Sequence, residues 1–127
     1  MATPKIIESK QAPAPIGPYS QAVEVNGMVY CSGQIPLDPV SGQVVGETVA
    51  EQTELVMKNI TAVLQAADLK LANVVKTTIF LTTMNDFQAV NEVYGKHMGS
   101  TKPARSTIAV AGLPRGVKVE IEVLAAR

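Results

Sequence analysis

Arg105 opens an otherwise apolar run, Pro103-Ala104-Arg105-Ser106, and a later run from Val117 to Val123 carries two acids, Glu120 and Glu122. A guanidinium presents a fixed fork of donors and grips a planar carboxylate through two parallel bonds. A glutamate held beside it can take a proton from water. Together these residue types describe a small pocket for a carboxylate-bearing metabolite, although charges near strand ends are more often plain surface. Glu120 and Glu122 share a face by the two-residue period of a strand, so spacing alone does not choose the base.

Three more side chains have suitable types to join such a pocket. Tyr19 combines an apolar ring with a hydroxyl tip and follows Gln11-Ala12-Pro13-Ala14-Pro15-Ile16-Gly17-Pro18. The prolines withhold amide donors and restrict φ, so this stretch reads either as a linker or as a stiff wall presenting Tyr19. Ser32 shares the strand face of Tyr30, opposite Cys31, from which its hydroxyl can aim at a ligand. Asn91 stands four residues after Phe87 and three before Tyr94, near the inner side of a helix. An amide there needs partners, so it is a structural clamp or a ligand contact. His97 is the only histidine, and with Cys31 far away it makes no metal site, which requires several convergent ligands. It reads as a core or surface histidine. No Ser-His-acid set, phosphate loop or dinucleotide fingerprint stands out.

The bulk properties bound the function. A chain of 127 residues has room for one domain with a real core, over 1–127, and too few for two. Basic and acidic residues number 11 each, and the basic ones are scattered. The clustered cations that grip phosphates are missing, so nucleic acid is not an expected partner. A neutral surface lacks mutual repulsion, which suits oligomerisation. The single cysteine, Cys31, has no internal disulfide partner, as fits a reducing compartment. No run reaches the length of a membrane span, and Met1-Ala2-Thr3-Pro4-Lys5 is not followed by a secretory core. The expectation is a cytosolic protein without membrane contact, with an organellar form whose leader has been removed as the alternative.

The supporting elements follow from pattern. After an N-terminal edge strand, strands over 22–25 and 28–32 flank Asn26-Gly27, the strongest short hairpin signal. Thr48-Val49-Ala50-Glu51 is a capping box, and Val56, Ile60, Val63, Leu64 and Ala67 recur behind it at helical spacing. The β-branched run 74–81 predicts a buried strand. Thr83-Met84-Asn85-Asp86 caps a second helix with Phe87, Val90, Tyr94 and Met98 inward and Gly99 just beyond. Closing strands fall near 104–110 and 117–125. The order β-β-β-α-β-α-β-β predicts an α+β domain, a mixed sheet with two helices packed on one face. No internal repeat is visible. Val117, Val119, Ile121, Val123, Ile79, Leu81, Val29 and Cys31 exceed the needs of one small core, so the uncovered face is expected to pack on a second subunit.

Several blocks recur together: Ile16-Gly17-Pro18-Tyr19-Ser20-Gln21-Ala22, Ser32-Gly33-Gln34-Ile35, Asn73-Val74-Val75-Lys76-Thr77-Thr78 and Asn85-Asp86-Phe87. Asn91-Glu92-Val93-Tyr94, Pro103-Ala104-Arg105-Ser106 and Val119-Glu120-Ile121-Glu122 follow in order. With them the chain resembles, almost end to end, the RidA family, also called YjgF/UK114, of reactive-intermediate deaminases. The resemblance implies a chorismate-mutase-like subunit and a homotrimer whose sheets form a central barrel, with three clefts between neighbouring chains. It implies hydrolysis of 2-imino acids (2-iminobutanoate and 2-iminopropanoate) and their enamine tautomers, which escape pyridoxal-phosphate dehydratases. The products are 2-oxo acids and ammonia, and neither metal nor organic cofactor is implied.

Carried onto this chain, Arg105 clamps the substrate carboxylate, and Glu120 positions a water and shuttles its proton. Backbone at Gly33 and Thr107 helps hold water and substrate, while Tyr19, Ser32 and Asn91 line the cleft. Position 107 is Thr where well-known bacterial relatives have Cys, which implies altered pocket shape or substrate preference rather than lost activity. Some relatives are credited with single-strand RNA cleavage and inhibition of translation, and others fit a metabolite-binding or chaperone-like role. Scattered lysines speak against the first alternative. The presence of Arg105 speaks against the second.

Overall fold

The computed structural model describes residues 3–127; Met1 and Ala2, where the segment read for a leader begins, lie outside the described residues. The elements are β1 (Lys5–Ile7), β2 (Ala22–Val25), β3 (Met28–Cys31), α1 (Val49–Ala66), β4 (Val74–Leu81), α2 (Phe87–Met98), β5 (Ala104–Ala109) and β6 (Val119–Ala126). Their order is the one the sequence predicts. They build a six-stranded sheet, β1-β2-β3-β6-β4-β5, antiparallel except for the β4–β5 pair.

Local chemistry sets the boundaries. Asn26 and Gly27 hold φ of 53° and 78°, the two-residue turn whose twist matches the flanking strands. Thr48 caps α1: its hydroxyl accepts from the Glu51 amide at 3.1 Å, and the Glu51 carboxylate accepts from the Thr48 amide at 3.0 Å. Gly99 closes α2 at φ 61° and ψ −122°, a positive-φ conformation that costs glycine little. Parallel strands need a crossover, and α2 provides the one between β4 and β5.

The core lies between the helices and one sheet face. Val56, Ile60, Val63 and Leu64 of α1 and Val90 and Tyr94 of α2 bury against Ile79 and Leu81 of β4 and Val119, Ile121 and Val123 of β6. This corrects the expected surplus of apolar side chains. Val117, Val119, Ile121, Val123, Ile79, Leu81 and Val29 are all buried within the chain. Their alternation marks the helix-covered face, not a spare one. The opposite face carries Tyr30, Lys76, Thr78, Phe80, Glu120, Glu122 and Leu124, a mixture of aromatic, aliphatic and charged groups.

Buried amides tie the loops to this core. Asn59 donates to the Leu37 carbonyl at 3.0 Å. Gln52 donates to the Gly46 carbonyl at 3.0 Å and accepts from the Lys118 amide at 2.8 Å. These bonds hold the 35–46 loop and the approach to β6. His97 is part of the scaffold as well, its Nε2 lying 2.8 Å from Glu54 Oε2 and joining α2 to α1.

Candidate functional site

Glu120 projects from β6 away from the helices into a cavity of about 410 Å³. The segment after β3 runs against β6 here: the Gln34 amide donates to the Ile121 carbonyl at 2.9 Å, and the Ile121 amide returns a bond to the Gln34 carbonyl at 3.1 Å. That pairing lays Gly33 directly beneath the Glu120 side chain. A Cβ at position 33 would overlap Glu120 Oε2 and stand 2.9 Å from Cδ. Glycine is therefore the residue that leaves the carboxylate its place. Burial, and next the charge of Glu122, raise the Glu120 pKa above the usual 4.5. The shift moves a general base toward the pH at which it would operate.

The proline-rich segment is the wall of this cavity, with Pro13, Ile16 and Tyr19 on its lining. Prolines offer carbonyls but no amide donors, so the segment needs a donor from elsewhere. Gln21 supplies it. Its buried Nε2 donates to the carbonyls of Ser9, Ala12 and Pro13 at 3.1, 3.4 and 2.8 Å, and its Oε1 accepts from the Ser9 amide at 2.6 Å. Tyr19 is fixed in the wall, its Oη accepting from the Ile16 amide at 3.2 Å. Ser32 departs from expectation. Its hydroxyl donates to the Ser20 carbonyl at 2.6 Å, which leaves oxygen lone pairs, not the proton, for a ligand.

Arg105 lies elsewhere. It opposes Thr77, and Thr107 opposes Ile79, both buried beneath the helices. Cross-strand partners share a face, so Arg105 and Thr107 project on the helix side of an edge strand. Glu120, opposite Phe80, projects on the other side. Arg105 borders a second cavity of about 520 Å³ together with Asn91, Tyr94 and Pro103. Its Nη1 donates to Asn91 Oδ1 at 2.7 Å, and its guanidinium carbon stands 5.6 and 5.2 Å from the ring centroids of Phe87 and Tyr94. Such contacts at an exposed position contribute about 0.5–1 kcal/mol each, enough to bias the orientation of the group. Among the described residues one donor is used, by Asn91, and no other hydrogen bond engages the fork.

Asn91 is exposed rather than inward. Phe87, which suggested an inner position for it, is itself only half-buried and lies against Arg105, so this side of α2 faces the guanidinium instead of the core. Among the described residues Thr107 Oγ1 is buried with no hydrogen-bond partner. The structure thus assembles Tyr19, Ser32, Gly33 and Glu120 in one place and Asn91, Arg105 and Thr107 in another. It does not bring Arg105 and Glu120 together within one chain, because strand alternation sends them to opposite faces. Gln21 and Phe87 were not singled out as site-supporting residues from sequence. The signal for Gln21 was present, since a run of prolines leaves carbonyls in need of an amide.

Among the described residues no group of three or more His, Cys, Asp or Glu is placed to hold a metal ion, and no helix is long and apolar enough to cross a membrane. The family model described as Endoribonuclease L-PSP matches residues 9–127. A Mus musculus 2-iminobutanoate/2-iminopropanoate deaminase is 50% identical over 121 residues, covering 95% of this chain and 90% of that one. Among solved structures, RidA from an Antarctic Psychrobacter superposes with a TM-score of 0.93 at 40% identity, covering 97% of this chain and 99% of its own. E. coli TdcF with bound serine gives 0.91 at 44% identity, with coverage of 97% and 99%. Motifs, fold and whole-length similarity agree, and the chain belongs to the RidA (YjgF/UK114) family, whose family model carries the description Endoribonuclease L-PSP.

Proposed function

We propose that this chain, acting as one domain over 1–127, is a 2-iminobutanoate/2-iminopropanoate deaminase that works as a homotrimer. The observation that carries the reading is the division of the site. One side of the sheet holds an oriented guanidinium with a free fork, and the other holds a carboxylate of raised pKa over a glycine. Neither half suffices alone. Arg105 of one subunit facing Glu120 of the next completes a cleft, with Tyr19, Ser32 and Asn91 along its walls.

In that cleft Arg105 grips the substrate carboxylate by its fork. Water held by Glu120 and by backbone at Gly33 and Thr107 adds to the imine carbon as Glu120 takes its proton. In the carbinolamine formed from the protonated imine, the nitrogen takes that proton, the C–N bond breaks to release ammonia, and Glu120 removes the hydroxyl proton as the 2-oxo carbonyl forms, passing it on to the departing ammonia. An imine carbon is already electrophilic, so orientation and one proton relay are the whole requirement, and the proposal includes no metal or organic cofactor. The activity in the name of the mouse relative and the serine bound to TdcF support a small amino-acid-derived ligand. The source of the imines would be pyridoxal-phosphate dehydratases, the setting cytosolic, and the role the removal of reactive intermediates. RNA cleavage, the activity in the family description, is the poorer fit, because 11 basic residues balance 11 acidic ones and form no run.

The test generates 2-aminoacrylate or 2-aminocrotonate in situ with a dehydratase and follows loss of the imine signal with and without this protein. Mixing Arg105→Ala with Glu120→Gln then examines the shared cleft. Each variant alone is strongly impaired, and in randomly assembled trimers about a quarter of the clefts regain both groups, with activity in proportion. Failure of the wild type to accelerate imine loss overturns the activity. Absence of any recovery in verified mixed trimers overturns the shared cleft.

A further inference from the structure

The cavity of Glu120 contains one charged group that the proposed reaction does not use. Arg115 lines it, beside Pro114 and across from the proline-rich wall. Its backbone sits at φ 60° and ψ 18°, a left-handed conformation that a residue with a Cβ adopts only when its surroundings enforce it. Its Nη1 donates to the Gly42 carbonyl at 3.0 Å, a bond across 73 positions of chain that fixes where the guanidinium stands. No carboxylate among the described residues pairs with it. The other lining side chains carry no charge, and several (Pro13, Ile16, Ile35, Leu37) are apolar.

We infer that Arg115 is a specificity-determining residue that opens this cavity to 2-imino acids bearing a second carboxylate on the side chain. The inference rests on the proposed imine hydrolysis for its reaction and on Arg115 alone for its selectivity. In that arrangement Arg105 holds the 1-carboxylate, Glu120 serves the imine carbon, and the side chain runs along the apolar wall. Its terminal carboxylate meets the donors of Arg115 that Gly42 leaves free. A fixed cation can discriminate strongly, because a substrate without the second carboxylate leaves it unpaired while an anionic one replaces water by a charge-assisted bond.

The test compares the imines of aspartate and alanine, each generated in situ by an amino-acid oxidase, on wild type, Arg115→Gln and Arg115→Lys. Glutamine removes the charge on a shorter, two-methylene stem and adds no new backbone demand. The expected result for Arg115→Gln is a fall of about tenfold or more in the ratio of kcat/KM for the dicarboxylic imine over the monocarboxylic one, with partial rescue by lysine. Binding of 2-oxoglutarate and of 2-oxobutanoate, measured by calorimetry, gives a readout independent of turnover. Arg115→Gln should weaken the first about tenfold more than the second. An unchanged ratio, or equal losses on both ligands, overturns the inference. If wild type hydrolyses neither imine, the proposed function fails, and the calorimetric arm alone then decides whether Arg115 selects a second carboxylate.

Discussion

Replacing Gly33 by alanine should remove most activity while leaving the fold intact. The added Cβ overlaps Glu120 Oε2 and falls 2.9 Å from Cδ and 3.1 Å from Cγ, where ordinary contact begins at 3.4 Å. Gly33 does not occupy the left-handed region, so its backbone accepts alanine without strain. The group that must yield is the flexible end of a glutamate, and it has to retreat by about 1 Å or more. A displacement of that size at a reacting group costs roughly a hundredfold in rate, or about 2.7 kcal/mol in the barrier. The dehydratase-coupled assay reads this loss, and thermal unfolding should place the midpoint close to that of wild type. The double variant Gly33→Ala/Glu120→Gln provides the decisive comparison. Both changes act through one carboxylate, so the double should be no slower than Glu120→Gln alone. A folded Gly33→Ala protein with the normal rate, or losses that simply add, would refute the role assigned to this contact.

Other outcomes follow from the same geometry. Arg105→Lys keeps the charge but gives up the guanidinium fork that bonds Asn91 and lies over the Phe87 and Tyr94 rings, so 2-oxobutanoate binding should weaken roughly tenfold to a hundredfold. Undiminished binding would show that the clamp lies elsewhere. Because the folded chain raises the Glu120 pKa above 4.5, the acid limb of kcat/KM should lie above that pH, and Glu122→Gln should shift it downward while burial, the larger cause, persists. The same shift means the folded state holds a proton more readily than the unfolded one, so this group's contribution to stability falls as pH rises from 4.5 through the raised value. Glu120→Gln should therefore raise the unfolding midpoint at neutral pH, with the gain fading below pH 4.5, and no gain at pH 7 would contradict the shift. Burial pushes the Cys31 thiol up to about 11, so iodoacetamide at pH 8 should label the native chain slowly and the unfolded chain fast. Rapid native labelling would count against a buried thiol.

Much of the fold was legible because its signals are local. The Asn26-Gly27 turn, the Thr48 capping box and the glycine after α2 each satisfy or terminate backbone within a few residues, and each stands where expected. The apolar alternation of β6 was visible too, but alternation says only that two faces differ, not what covers either one. Reading Val119, Ile121 and Val123 as part of a surplus beyond one small core failed for that reason. Two helices were enough to bury them all.

By itself, the sequence determined the order of the elements, the family, and which residue types were available for chemistry. These depend on spacing along the chain and on motifs contiguous within it. Only the tertiary structure decided how those residues are grouped. Pairing β5 in parallel with β4 turned Arg105 toward α2, while the alternation of β6 turned Glu120 to the opposite face. The Gln34–Ile121 pairing set Gly33 under the carboxylate, and Gln21 reached back to hold a segment eight to twelve residues away. Which strand lies beside which, and in what register, is settled by pairing between distant segments, and no single segment carries that information.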